Sequence, residues 1–208
     1  MDDRFPDAAY IDPSARIFGN VVIGAGSSVW PLAVIRAETH AVEIGRFTNI
    51  QDFAMIHIGQ TRPTIIGDYC SIAHRATLHG CTIGNNCLIG MDVTIRDGVE
   101  LGDNCIVVSR AYVPEGLVVP ANSLVGGQPA KVSRGDAHFL PNRFNALLYH
   151  RNALAYARGD HRAWTGPDYD AFVRDVRERL EAEYQALYPP VGTDPEPVDP
   201  LDEGKPLI

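Results

Sequence analysis

An aliphatic residue recurs at every sixth position through more than half of this chain, and that clock constrains the fold more than any other feature. It begins as Ile11, Ile17, Ile23, Val29 and Ile35, resumes as Ile44, Ile50 and Ile56, and again as Ile66, Ile72 and Leu78. From Ile83 it continues through Ile89, Ile95, Leu101, Val107, Val113 and Val119 to Val125. Four places after most of these stands a small or compact residue, among them Thr48, Ala54, Cys70, Ala76, Cys87, Val93 and Cys105. Glycine often follows the aliphatic residue directly, as in Gly24, Gly45, Gly67, Gly84, Gly90 and Gly102. A hexapeptide period predicts a parallel β-helix. Each repeat makes a short strand and a corner, three repeats close a triangular coil of about 18 residues, and coils stack about 4.8 Å apart. The aliphatic and small residues point inward, and glycine, Asn and Asp are expected at corners for their tolerance of unusual backbone angles. A β-sandwich would not keep a six-residue clock.

The period assigns residues 8–134 of the 208 to the β-helix. Residues 135–188 read as a C-terminal helical segment, so the class is mainly β with C-terminal α-helices. Phe144, Leu147, Leu148 and Leu154 suggest a first helix. A second starts near Pro167 with Tyr169, Phe172, Val173, Val176, Leu180, Tyr184 and Leu187 on one face, and is expected to pack along a flat side of the rod. Residues 189–208 carry six prolines and five acidic residues, the composition of a disordered tail.

A formal charge of −8 with no basic stripe argues against nucleic acid as a partner. No apolar stretch approaches the length of a membrane span, and Met1-Asp2-Asp3-Arg4 opens no signal peptide, so a cytoplasmic protein is the expectation. Of the four cysteines, Cys70, Cys87 and Cys105 fall on the inward small-residue position, and no CxxC occurs. Buried thiols are expected there, and also for Cys81 in a shortened turn beside His79.

A fixed period puts polar residues on a coordinate grid. Three hexapeptides per coil bring the repeats at Ile35, Ile56 and Leu78 to one side of the prism, so Arg36, His57 and His79 stack in one outward column. On an adjacent side Gln51 and Asp52 lie beneath Ala73 and His74. The insertion at residues 59–65 would project beside this cluster. His57 and His79 are close enough to share a metal. His74 is separated from His79 by an extended path of up to about 16 Å that turns a corner. Histidines on two edges therefore point to a homotrimer with a metal in each of three interfaces, two ligands from one subunit and one from the next. Solvated surface histidines, or a simple side-chain ladder, are the bland alternative. His40, His138, His150 and His161 are read that way.

At these residues the chain resembles the γ-class carbonic anhydrase family. The resemblance runs from Val29-Trp30-Pro31 to Gly126-Gly127-Gln128-Pro129-Ala130-Lys131. It is carried by Thr48-Asn49-Ile50-Gln51-Asp52, by His57, and by Ile72-Ala73-His74-Arg75-Ala76-Thr77-Leu78-His79-Gly80-Cys81. The period does not fix the hand of the helix; the resemblance implies the left-handed form, against the usual crossover rule. It further implies a homotrimer and Zn²⁺, with Fe²⁺ or Co²⁺ as alternatives, held by His57, His74 and His79. The implied reaction is reversible hydration of CO2 to bicarbonate by metal-bound hydroxide at the trimer interfaces. Gln51 stands at the family's position for orienting the nucleophile or substrate, and Asn49 at an accompanying one. Arg36 and Asp52 correspond to an interfacial ion pair. The chain departs from the family's Arg-x-Asp by reading Arg36-Ala37-Glu38, and the insertion after His57 contains no carboxylate to shuttle protons. Tyr149 and Tyr156 are the candidates for the family's pocket tyrosine.

Two other functions stay open at this point. The rod and its Gly-x-Pro-Ala-Lys ending are shared with hexapeptide acyltransferases, so an acyl-CoA acyltransferase or thioesterase with one histidine as general base is the first. A catalytically weak assembly subunit is the second.

Overall fold

Residues 3–134 and 138–189 are described by a computed structural model. The aliphatic residues of the clock stack into three internal columns. In parallel register these are Ile11, Val29, Ile50, Ile72, Ile89, Val107 and Val125 on a first face. Ile17, Ile35, Ile56, Leu78, Ile95 and Val113 form the second. The third is Ile23, Ile44, Ile66, Ile83, Leu101 and Val119. The result is a left-handed parallel β-helix. An eight-stranded sheet makes the first face, while the other two are joined into one ten-stranded sheet because strand Val34–Ile44 runs unbroken around the edge between them.

The small inward residues do more than fill space. Ser27 and Thr48 donate through Oγ to the carbonyls of Gly45 and Gly67 one coil on, at 2.6 and 2.8 Å. Cys70, Cys87 and Cys105 continue that ladder, their thiols donating to the carbonyls of Gly84, Gly102 and Pro120 at 3.0, 3.2 and 3.2 Å. From Ser27 to Cys105 each buried donor of this column thus satisfies a corner carbonyl, and the column ends at Ser123, whose buried Oγ has no partner. All four cysteines are free and buried, and burial pushes the Cys81 thiol up to about 12.

The glycines after the aliphatic residues correct one expectation. Gly24, Gly45, Gly67, Gly84 and Gly102 do not adopt positive φ. A Cβ on any of them would instead lie 2.5–2.8 Å from backbone of the next coil. They are needed for close stacking, and left-handed corner positions go to Leu32, Phe53, Arg75, Asp92 and Arg110 on one edge. Phe47, Tyr69, Asn86, Asn104 and Asn122 take them on another.

A hairpin of Ser123–Gly127 with Ala130–Arg134 closes the rod. Helix α1 (Phe139–Tyr156) then lies on the first face, against strands that present Ser28, Asn49 and Ser71 outward. Those short polar residues are at most 2% exposed because the helix covers them. Of the residues that suggested α1, Leu148 is buried and Leu154 is 41% exposed, and the buried side also holds Asn142, Ala146 and Ala153. Asn142 donates to the carbonyls of Asn86 and Cys105 at 2.9 and 3.1 Å, so polar groups dock this helix. Helix α2 (Pro167–Leu187) starts at a proline with Asp168 and Asp170 in its first turn, both favourable at a helix N-terminus. It buries Val176 and Leu180 but packs on α1 rather than along the rod, and Leu187 is exposed. Of the expected tail, residues 190–208 lie outside the described residues. Among the described residues no helix is long and apolar enough to cross a membrane.

Candidate metal centre

The position after the inward aliphatic residue points outward, and on the second face it carries Arg36, His57 and His79 in direct register. The two imidazoles face each other with ring centroids 5.1 Å apart. The carbonyl of His57 accepts the hydroxyl of Thr64 and the amide of Gly80, which ties the insertion and the next coil to this strand. His74 stands on the other edge, where the first face turns into the second, beside the left-handed corner residue Arg75. Among the described residues of the single chain, no three His, Cys, Asp or Glu side chains come together to hold a metal.

Each histidine has a carboxylate partner. His74 Nδ1 lies 3.0 Å from Asp52 Oδ2. His79 Nδ1 lies 3.0 and 2.9 Å from the two oxygens of Asp97. In His79 the hydrogen-bonded nitrogen is Nδ1, which leaves Nε2 free, and in His74 it is likewise Nδ1 that lies beside the carboxylate. A carboxylate on the far nitrogen is the usual support of a metal-binding imidazole. His57 differs, because its Nε2 lies 3.0 Å from Glu38 Oε2. Glu38 is also paired with Arg36. Imidazole donors backed by carboxylates suit Zn²⁺, Fe²⁺ or Co²⁺, so the donor set fits the implied cation once Glu38 turns away from His57. Within the chain Arg36 and Asp52 do not pair with each other; their partners are Glu38 and His74.

Gln51 and Asn49 are buried beside this edge and belong to one chain of hydrogen bonds. Gln51 Nε2 donates to Asn49 Oδ1 at 2.9 Å, Asn49 Nδ2 to Ser71 Oγ at 2.9 Å, and Ser71 Oγ to Asn145 Oδ1 at 2.8 Å. The relay ends on α1, which gives the C-terminal helix a direct hold on the site. Tyr149 and Tyr156, also on α1, pack edge-on against Trp30 at 5.5 and 4.9 Å. Burial, then the nearby negative charge of Asp52, pushes the Tyr149 phenol up to about 12.

Asp97 was not read as a site residue; it stands one place past Arg96, the residue that the Thr77–Thr94 and Leu78–Ile95 register sets beside His79. Its Asp-Gly context looks like an ordinary solvated turn. With His79, Arg62 and Gln60 it lines a groove of about 610 Å³ that also receives Glu100 and Glu115. The insertion itself has no carboxylate, but later coils bring three acidic side chains to the groove it borders.

The family model described as bacterial transferase hexapeptide (six repeats) matches residues 80–115. Gamma carbonic anhydrase 1, mitochondrial, of Arabidopsis thaliana is 33% identical over 187 residues, covering 86% of this chain and 68% of that protein. A probable carbonic anhydrase of Methanocaldococcus jannaschii is 48% identical over 141 residues, covering 67% and 89%. Among solved structures, a hexapeptide transferase family protein from Anaplasma phagocytophilum superposes with a TM-score of 0.62 at 30% identity, covering 72% of this chain and 91% of the other.

Proposed function

The chain belongs to the γ-class carbonic anhydrase family, and we propose that it catalyses the reversible hydration of CO2 to bicarbonate and a proton at sites shared by neighbouring subunits of a homotrimer. The observation that carries this reading is the register of His57 over His79 on one edge with His74 on another. His57 and His79 of one subunit and His74 of the next would hold a divalent cation, Zn²⁺ or alternatively Fe²⁺ or Co²⁺. A cation so held supplies the Lewis acidity that makes water nucleophilic near neutral pH.

The chain's own residues supply the rest. Asp52 and Asp97 fix two imidazoles through their Nδ1 atoms. Gln51, restrained by Asn49, orients the reacting oxygen, and the Ser71–Asn145 link keeps both amides from rotating. Glu100 and Glu115 line the groove that opens from His79; their carboxylates accept the released proton and pass it to solvent.

A second reading, acyl transfer from or hydrolysis of a coenzyme A thioester, is favoured by the hexapeptide transferase model over residues 80–115. It uses one histidine as general base and gives no role to the register of all three. A catalytically weak assembly subunit is a third. Stopped-flow CO2 hydration on cation-loaded protein, with His79→Ala as the blank and acetyl-CoA turnover measured in parallel, tests all three. Hydration that falls to background in the blank is the expected result. Full cation occupancy with thioester turnover and no hydration contradicts it, and occupancy with neither activity points to the assembly subunit.

A further inference from the structure

We propose that Asp97 is the positioning residue that holds His79 with its hydrogen on Nδ1, so that Nε2 is the free nitrogen, and that Gly59 is glycine to make room for it. The inference rests on the metal-centre reading for its consequence but not for its geometry. Both Asp97 oxygens lie within 3.0 Å of His79 Nδ1. A carboxylate can only accept there, so the neutral ring must carry its hydrogen on that nitrogen.

The carboxylate is also walled in. A Cβ placed on Gly59 would lie 2.4 Å from Asp97 Oδ1, and one on Gly80 2.6 Å from the same atom. Gly80 has a φ of 55°, a left-handed conformation that glycine adopts without strain. Gly59 has no positive φ, so nothing in its backbone conformation asks for glycine. What the missing side chain leaves is the space that Asp97 Oδ1 fills. Gly59 opens the insertion, and its amide donates to the carbonyl of Arg62 at 2.9 Å, which keeps the loop folded over the carboxylate.

Glu38 at His57 makes the contrast. Its side chain is 45% exposed, is longer by one methylene, and has Arg36 as a second partner, so it is free to leave the ring. Asp97 is short, 23% exposed and confined by two glycines, and its own arginine neighbour, Arg96, comes no nearer than 3.9 Å. An exposed ion pair with no positioning role would add little stability and would leave the tautomer of a nearby ring to solvent.

The test is the ring nitrogen spectrum of ¹⁵N-histidine-labelled, metal-free protein at about pH 9, where an ordinary histidine is neutral, read beside cation affinity from chelator competition. His79 should appear with its hydrogen on Nδ1. In Asp97→Ala and in Gly59→Ala the hydrogen should move to Nε2, the preference of a free neutral imidazole. Asp97→Asn, whose Oδ1 still accepts, should keep the original form. Cation affinity should fall about tenfold to a hundredfold in the first two variants and much less in Asp97→Asn. A wild-type His79 with its hydrogen on Nε2, or an Asp97→Ala spectrum unchanged from wild type, overturns the proposal. Affinity unchanged in Asp97→Ala overturns it as well. Should the wild type take up no cation while His79 shows the expected forms, the positioning role stands and the metal-centre reading fails.

Discussion

Mixing His74→Ala and His79→Ala protomers should restore metal to about one site in four, although each variant alone should bind none. In the proposed site His57 and His79 come from one protomer and His74 from the next. A site is therefore complete only where a His74→Ala protomer supplies the stacked pair and a His79→Ala protomer supplies the third ring. In a random one-to-one mixture of refolded chains that arrangement occurs at about a quarter of interfaces. The physical basis is the prism itself. His57 and His79 share one edge at 5.1 Å between ring centroids, and His74 projects from another beside Asp52. Elemental analysis of the mixture against either pure variant is the check. A mixture as empty as its parents, or pure variants that keep full metal, would mean that the three rings do not form one shared site.

Gly45→Ala should cost about 3 kcal/mol, toward the top of the range for overpacking, whereas Gly116→Ala should cost about 1 kcal/mol. The added Cβ at position 45 would stand 2.5 Å from the carbonyl carbon of Gly67 and 2.6 Å from the amide nitrogen of Asp68. Both are backbone atoms that cannot rotate away, so two coils must separate. Separation weakens the Gly45 amide bond to the Ile66 carbonyl and the Thr48 bond to the Gly67 carbonyl as well. Gly116 has a φ of 73° and nothing within 4 Å of a built Cβ, so its substitution carries only backbone strain. Denaturant midpoints at one fixed protomer concentration compare the two. Equal costs would mean that the glycines after the aliphatic residues serve corner geometry rather than coil spacing.

The period explains why so much of the rod was legible. Once Ile56 and Leu78 are counted as one coil apart, the residues after them must stack, and the register of His57 with His79 follows without any knowledge of side-chain contacts. His74 fell on a separate edge by the same count. Counting says nothing about what lies across a corner, which is why Asp97 escaped notice: an Asp-Gly pair is the commonest dress of a solvated turn, and what distinguishes it is the bond to His79 and the lack of room for a Cβ on Gly59. The glycines after the aliphatic residues were placed correctly and explained wrongly, because composition cannot separate a left-handed corner from a close backbone approach. Helix α1 was legible from Phe144, Leu147, Leu148 and Leu154, but its docking was not, for a different reason. It docks through Asn142 and Asn145 onto a face of Ser28, Asn49 and Ser71, so its buried side is small and polar where apolar periodicity was sought.

The most direct measurement is anomalous X-ray scattering from crystals of the cation-loaded assembly, recorded at the absorption edge of the bound metal. The expected result is one peak at each subunit interface, bounded by His57 and His79 of one chain and His74 of its neighbour. A stoichiometric peak bounded by residues of a single chain, or one away from these three histidines, would contradict the shared metal centre.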